Sequence, residues 1–183
     1  MTETGVAGVL VVEPRIFSDA RGTFFETYRV DAFAEMGIDA TFVQDNVSVS
    51  RGGVLRGLHF QEPHRQAKLI QALEGEVFDV AVDVRAGSPT FGRAVWTTLS
   101  RANRRQLFIP PGFAHGFVAT SDEAVVVYKC SDYYTPSCEH AVKWNDPALG
   151  IPWPVLSPVL SAKDEAAPLL ADLPPGALPR FAP

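Results

Sequence analysis

Cysteine is scarce in this chain, with only Cys130 and Cys138 among 183 residues. Two thiols without a pattern of regularly spaced partners do not make a disulfide scaffold and are typical of a reducing compartment. The first residues contain no basic stretch followed by an apolar one, so we expect no secretory signal. No apolar run is long enough to span a bilayer. These absences predict a cytoplasmic protein without a membrane segment.

Basic residues are few and scattered: 16 Lys and Arg stand against 21 Asp and Glu, for a formal net charge of −5. Non-specific binding of nucleic acid requires a clustered basic surface, and the sequence offers none. We therefore expect no nucleic-acid partner. A ligand with phosphate groups is compatible with this composition, because a few arginines and lysines can converge once the chain is folded.

Patterns typical of helices are also scarce, and short strand-like runs separated by turn residues dominate. Residues 76–84 illustrate the pattern, because Val and Phe alternate there with Asp and Ala. Turn clusters such as Arg51-Gly-Gly and Pro110-Pro-Gly separate such runs. We expect an all-β sandwich or barrel, in which the mouth of the barrel is a common place for a ligand site.

Two short helices are expected to flank the strands. Asp31 can cap the first, which Gly37 ends, and the second lies within residues 161–173. The folded domain is expected to span residues 1–173. The last residues, 174–183, are rich in proline and are expected to form a loose tail.

Residues that can carry chemistry concentrate in three segments. The first is Val54-Leu-Arg-Gly-Leu-His-Phe-Gln, which Lys68 follows seven residues later. The second is Ile109-Pro-Pro-Gly-Phe-Ala-His-Gly-Phe, in which His115 stands among glycines and aromatic residues. The third is Tyr128-Lys-Cys-Ser-Asp-Tyr-Tyr. Each segment joins titratable side chains to a strand or a turn, as expected of a site at a barrel mouth.

Strand geometry makes two predictions about these segments. Arg56 and His59 are three residues apart, which on a straight strand places them on opposite faces. A bend at Gly57 would change that arrangement. Asp79 and Asp83 resemble a pair of catalytic carboxylates, but solvated positions on a half-exposed strand are the better interpretation.

Taken together and in order, the segments strongly resemble the dTDP-4-dehydrorhamnose 3,5-epimerase family. The resemblance runs from about residue 12 to residue 170. One such block would be a weak signal, but the whole series is very specific. The blocks that carry it are FSDARGTFFE (17–26), QDNVSVS (44–50), RGLHFQ (56–61), QAKL (66–69), DVAVDVRAGSPTFG (79–92), IPPGFAHGF (109–117), YKCSDYY (128–134), WNDP (144–147) and LSAKD (160–164).

The resemblance implies a cupin-type jelly-roll barrel, usually a homodimer, whose N-terminal strand can cross to the partner. It implies an enzyme that inverts C3 and C5 of dTDP-4-keto-6-deoxyglucose without a cofactor. His59 is similar to the base of the family, Tyr128 to the acid on the other face, and Lys68 to the lysine near the substrate ketone. Asp164 matches the acid that pairs with the base histidine. The remaining positions match substrate contacts of the family: Arg21, Glu26, Gln44, Asp45, Asn46, Arg56, His115, Tyr134 (stacking on thymine), Glu139 and Lys163.

These residue types suit proton transfer at a carbon beside a ketone. A histidine such as His59 is a base poised near neutral pH. The ammonium of Lys68 can stabilise the charge that develops on the ketone oxygen. The hydroxyl of Tyr128 can return a proton from the opposite face, and a carboxylate such as Asp164 can fix the tautomer of the histidine.

Plainer interpretations exist for the same residues. Ser161 and Asp164 have the spacing of a capping box, which requires no catalytic role for the acid. Tyr128 follows an apolar run and fits the core of a sheet as well as an active site. Lys68 fits a solvated strand position, although its apolar neighbours favour a pocket.

Three other functions compete with double epimerisation. A metal-dependent cupin usually presents His-x-His, whereas Gln61 stands two residues after His59 and is a poor ligand for a transition metal. We therefore expect no metal. A related enzyme that inverts only C3 or only C5 would keep the same blocks. A non-catalytic cupin that binds sugar nucleotides would lose the base or the acid, and both are present here.

Overall fold

The computed structural model describes residues 1–182. Within that span most regular structure is β-strand, with two short α-helices beside it, and the prediction of an all-β fold with short flanking helices is confirmed. The helices are α1 (Val30–Glu35) and α2 (Ala162–Glu165). The strands are β1 (Thr2–Glu3), β2 (Leu10–Val12), β3 (Ile16–Asp19), β4 (Gly22–Phe25), β5 (Gln44–Arg51), β6 (Leu55–Gln61), β7 (Lys68–Glu74), β8 (Glu76–Asp83), β9 (Ala94–Ser100), β10 (Gln106–Ile109), β11 (Phe113–Ala119), β12 (Glu123–Cys130) and β13 (Glu139–Ala141).

Two antiparallel sheets make up the body of the fold. The larger has the order β1-β2-β10-β7-β12-β5, and the smaller has the order β13-β6-β11-β8-β9. The chain passes repeatedly from one sheet to the other, so it closes into the cupin-type jelly-roll barrel that the resemblance implies. The hairpin of β3 and β4 joins neither sheet. None of the helices in residues 1–182 is long and apolar enough to cross a membrane.

The smaller sheet is covered on both faces. Val80, Val82 and Val84 pack outward in one cluster with Leu149 and Leu170 from the C-terminal segments. The neighbouring side chains of β8 face the larger sheet, where a second apolar cluster fills the interior of the barrel. Alternation along β8 therefore separates two buried faces rather than one buried face and one solvated face.

This double coverage corrects one expectation. Asp79 and Asp83 are fully buried instead of solvated. The carboxylate of Asp83 is satisfied within the chain, because it accepts hydrogen bonds from Arg85 Nη2 at 2.7 Å, from Ser88 Oγ at 2.6 Å and from Thr90 Oγ1 at 2.6 Å. Burial alone would raise the pKa of Asp83, but these donors outweigh it and hold the pKa below its ordinary value.

The C-terminal region also differs from expectation. The helix expected over residues 161–173 is a single turn, α2, because Pro168 cannot continue it. The expected loose tail is docked against the smaller sheet. Ala86 N donates to Pro179 O at 2.7 Å, and Phe181 N donates to Ala86 O at 3.1 Å. The backbone of the tail thus pairs with the β8–β9 connection.

A close approach between two glycines bends β6. The pairing of β11 with β6 shifts register between His115 and Phe117. At that point Gly57 has φ +126°, and a Cβ placed on it would lie 2.5 Å from Gly116 Cα and 2.7 Å from His115 O. Only glycine fits this contact. The bend removes the strict alternation of β6, so that Arg56 and His59 line one cavity.

We expect Gly57→Ala to destabilise the fold more than Gly53→Ala. Both glycines have a positive φ, but a Cβ placed on Gly53 would meet nothing within 4 Å beyond its own chain neighbours. Gly53→Ala therefore carries only the left-handed strain of about 1–2 kcal/mol, whereas crowding adds about 1–3 kcal/mol more at Gly57. Urea denaturation of both variants measures the difference. Equal losses would contradict the close approach.

Candidate active site

Two cavities lie between the sheets and share three residues of their walls. The shared residues are His59, Lys68 and Tyr128. The first cavity, of about 330 Å³, is also lined by Gln44, Asn46, Tyr134, Glu139 and Lys163. The second cavity, of about 550 Å³, is also lined by Arg56, His115 and Asp164. The structure therefore gathers most of the predicted site residues around two adjoining cavities.

The side chain of His59 is held by Asp164. Its Nε2 lies 2.5 Å from Asp164 Oδ1, and the acid is buried. Burial would raise the pKa of Asp164, but hydrogen bonds from His59 and Ser161 hold it below its ordinary value. An ionised carboxylate can only accept, so Nε2 of His59 carries the ring proton and Nδ1 presents a lone pair. That free nitrogen lies 3.9 Å from Glu139 Oε1, at the wall of the first cavity.

Asp164 both takes part in a helix cap and pairs with His59. Its backbone N–H donates to Ser161 Oγ at 3.1 Å, which is one half of a capping box. Its side chain does not return to the cap but bonds His59, 105 residues away in the chain. The cap therefore fixes the backbone from which the carboxylate reaches the histidine.

A second histidine–carboxylate pair lies beside the first. His115 on β11 faces His59 on β6 in the ladder, and its Nε2 lies 3.0 Å and 3.1 Å from the two oxygens of Asp79. Both members of this pair are buried. Sequence reasoning missed the partner of Asp79, because the strand pattern relates it to Asp83 on the same strand and not to His115 on β11. The pairing depends on the register of β8 with β11, which the local sequence does not encode.

Burial shifts the pKa values of Lys68 and Tyr128, which face these histidines from the larger sheet. It lowers the pKa of Lys68, and the nearby charges of Cys130, Asp79 and Glu139 oppose the change only in part. It raises the pKa of Tyr128, so the hydroxyl keeps its proton at neutral pH. A desolvated lysine side chain and a protonated phenol thus line the same cavity walls.

Glu139 links the cavity to the surface. It accepts hydrogen bonds from Tyr134 Oη at 2.7 Å and from Lys163 Nζ. Burial would raise the pKa of Glu139, but the hydrogen bonds from Lys163 and Tyr134 hold it below its ordinary value. Gln44 Oε1 accepts from the backbone of Tyr134 at 2.9 Å, which ties β5 to the same wall.

Three predicted substrate contacts lie away from these cavities. Arg21 is exposed on the β3–β4 hairpin, where it pairs with Asp19. Glu26 is also exposed and lies 3.7 Å from Arg29. Asp45 points to the other face of β5 from its neighbours and pairs there with Lys129 at 3.0 Å, as the two-residue period of a strand requires. The substrate contacts expected at Arg21, Glu26 and Asp45 therefore stay predictions.

Metal ligands are not clustered in the part of the chain that the structure describes. No three His, Cys, Asp or Glu side chains within residues 1–182 are grouped so as to hold a metal ion. Each of the two histidines in the cavities is instead bonded to a carboxylate.

Comparison with known proteins decides the family. A family model described as dTDP-4-dehydrorhamnose 3,5-epimerase matches residues 3–172. The chain belongs to the dTDP-4-dehydrorhamnose 3,5-epimerase family. This confirms the resemblance found in the sequence, and with it the expectation of an epimerase.

Relatives of the family support this membership along nearly the whole chain. The chain is 55% identical to the dTDP-4-dehydrorhamnose 3,5-epimerase of Salmonella typhimurium, over 92% of this chain and 93% of the relative. It superposes with a TM-score of 0.96 on a 48% identical epimerase from Legionella pneumophila, crystallised with dTDP-4-keto-L-rhamnose, over 98% and 97% of the two chains. It is also 45% identical to the dTDP-4-dehydrorhamnose 3-epimerase of Streptomyces niveus, over 97% and 87%.

We expect Lys68 to lose its proton at a lower pH than an unperturbed lysine, whose pKa is 10.5. Burial disfavours the ammonium, so its titration moves downward. NMR of protein labelled with ¹³C and ¹⁵N at lysine follows each of the four lysines of the sequence. The spectrum of Lys68→Met assigns the signal. Titration of that signal at or above the unperturbed value would contradict the buried environment.

Proposed function

We propose that this epimerase inverts C3 and C5 of dTDP-4-keto-6-deoxyglucose by abstracting a proton beside the ketone and returning one on the opposite face. The observation that carries the proposal is the placement of a free histidine nitrogen and a protonated tyrosine on facing sheets. His59 lies on β6 of the smaller sheet, and Tyr128 lies on β12 of the larger one. A sugar ring held between the sheets meets one group on each face.

His59 acts as the base in this proposal. Nδ1 carries the lone pair, because Nε2 is committed to Asp164. When Nδ1 takes the proton from C3 or C5, the C–H electron pair forms a double bond between that carbon and C4. The π electron pair of the ketone then moves onto its oxygen, which gives the enolate. The resulting imidazolium is stabilised by the carboxylate of Asp164, which remains ionised. General-base catalysis of this kind contributes about 10²–10⁴ in rate.

Lys68 stabilises the enolate oxygen. Its side chain is desolvated, so the protonated form of Lys68 interacts with a developing negative charge with little competition from water. Tyr128 then donates its hydroxyl proton to the carbon from the other face and is left as the phenolate. The raised pKa of Tyr128 keeps that proton in place until the enolate forms.

The first cavity is the proposed site of the nucleotide half. Tyr134 offers an aromatic surface for the base, and Gln44 and Asn46 offer amide groups beside it. Lys163 brings a positive charge for the diphosphate. On the other side, Arg56 and His115 line the second cavity as contacts for the sugar or diphosphate.

A homodimer would bring Arg21 and Glu26 to the site. The β3–β4 hairpin belongs to neither sheet and exposes Phe24 at 71%. Edge strand β5 exposes Val47 at 66% and stands open at the end of the larger sheet. Exposed apolar hairpins and unpaired strand edges favour association. We propose that the hairpin of each subunit reaches the cavity of the partner.

The proposed compartment is the cytoplasm. Cys130 and Cys138 are unpaired thiols among residues 1–182. Thiols that stay reduced fit a reducing compartment.

The decisive test follows deuterium at C3 and C5 by NMR while the enzyme turns over dTDP-4-keto-6-deoxyglucose in D₂O. We expect label at both carbons, and a loss of at least about 10²-fold in exchange for folded His59→Ala. Tyr128→Phe should retain exchange but lose inversion, because the proton then returns from the side of the base.

Other outcomes of this test distinguish the alternatives. Label at one carbon only would identify a mono-epimerase, an activity named for the Streptomyces niveus relative. No exchange at either carbon, with the sugar nucleotide still bound, would identify a non-catalytic sugar-nucleotide-binding cupin. Full activity of His59→Ala would remove histidine from the mechanism.

Mixing inactive variants tests the dimer. Arg21→Ala and His59→Ala place their defects on different chains of a shared site, so a heterodimer contains one intact site. With free subunit exchange half of the dimers are mixed, and we expect about a quarter of wild-type activity to return. The matched control mixes His59→Ala with Tyr128→Phe, which leaves no site intact. No recovery in the first mixture would contradict the shared site.

A further inference from the structure

Gln61 has a buried side chain that the proposed mechanism does not use. It ends β6, two residues after His59, and is 4% exposed at the wall of the first cavity. Its Nε2 donates to His64 O at 2.7 Å and to Tyr133 O at 3.2 Å. Its Oε1 accepts from Thr135 N at 2.7 Å. Three backbone groups of two different loops therefore converge on one amide.

The hydrogen bonds of the Gln61 amide exclude a role as a hydrogen-bond donor to the substrate. A glutamine side chain has two N–H donors, and here both are bonded to backbone carbonyls. Gln61 has no donor left for a sugar hydroxyl or a phosphate, although it stands beside the space that a substrate would fill. Its contribution must therefore pass through the loops that it holds.

The two loops are the β6–β7 connection, residues 62–67, and the β12–β13 connection, residues 131–138. Other bonds also join them: Gln66 Nε2 donates to Asp132 O at 2.8 Å, and Ala67 N donates to Ser131 Oγ at 2.7 Å. Those bonds hold the start of the second loop. Gln61 holds the next residues, 133 and 135, on either side of Tyr134.

Tyr134 depends on this support, because packing does not fix it. Its side chain is 50% exposed. The carbonyl before it and the N–H after it are both bonded to Gln61. With those two atoms fixed, the peptide planes on each side of Tyr134 are fixed, and the ring can reach Glu139 at 2.7 Å.

We infer that Gln61 is a positioning residue that sets the orientation of Tyr134 and thereby the affinity for the nucleotide half of the substrate. The inference rests on the proposed function, in which Tyr134 receives the base. His59, Lys68 and Tyr128 lie on strands and not on the loops that Gln61 clamps. Gln61 therefore affects the binding of the nucleotide half, whereas the strands hold the residues of the proposed proton transfers.

The test compares Gln61→Met and Gln61→Glu with the wild type. Methionine has a similar length and no hydrogen bond, whereas glutamate still accepts from Thr135 but cannot donate to the two carbonyls. We expect the KM for dTDP-4-keto-6-deoxyglucose and the Kd for dTDP by calorimetry to rise about tenfold in both, since a loss of about 1.4 kcal/mol in preorganised binding is tenfold in affinity. We expect kcat to stay within about twofold of the wild type. If Gln61→Met does not fold, the same constants measured for Gln61→Glu test the inference.

A double-mutant cycle separates positioning from general loosening of the fold. If Gln61 acts through Tyr134, then Gln61→Met should not weaken dTDP binding further in a Tyr134→Ala background. Additive losses, or a fall in kcat at unchanged KM, would overturn the inference. Wild-type protein that neither binds dTDP nor exchanges C3 and C5 would instead refute the proposed function. Wild-type affinity for dTDP in both Gln61 variants of an active enzyme would refute the positioning role alone.

Discussion

Ionisable side chains inside a closed β-barrel must find partners, because the interior lacks the water that would otherwise solvate them. This constraint organises the site. Asp164 is paired with His59, Asp79 with His115, and Glu139 with Tyr134 and Lys163. The pairing with His59 also sets a chemical property, because an ionised Asp164 leaves Nδ1 of His59 as the free nitrogen. The requirement for satisfied burial and the requirement for a competent base are thus met by the same hydrogen bond.

The fold divides chemistry from recognition. The proposed base and acid lie on β6 and β12, each of which is hydrogen-bonded to a neighbouring strand on both sides. The proposed platform for the nucleotide lies on the connection between β12 and β13, which backbone hydrogen bonds must support. Rigid strands suit catalytic groups, whose positions must be held to within a fraction of an ångström. Loops suit the contacts that differ among sugar nucleotides. Relatives that differ in the number of inverted carbons share the family's sequence pattern.

The homodimer proposed above rests on residues that the cavities of the single chain leave out. The two cavities are lined by most of the predicted contacts but not by Arg21 or Glu26. Both residues lie on or beside the β3–β4 hairpin, which exposes apolar side chains. The C-terminal tail shows the opposite behaviour, because it folds back and pairs with the β8–β9 connection of its own chain. The tail therefore packs against its own chain, whereas the β3–β4 hairpin joins neither sheet.

Local pattern was enough to determine much of this protein. Alternating residues and turn clusters predicted an all-β fold, and the ordered blocks around His59, His115 and Tyr128 identified the family. The tertiary structure alone decided that Asp79 is a buried partner of His115, that Asp45 points away from the cavity, and that Gln61 clamps two loops. Strand period and turn chemistry act between near neighbours, so the sequence expresses them directly. Pairings between residues far apart in the chain depend on strand register and on the bend at Gly57, which exist only after the sheets have packed.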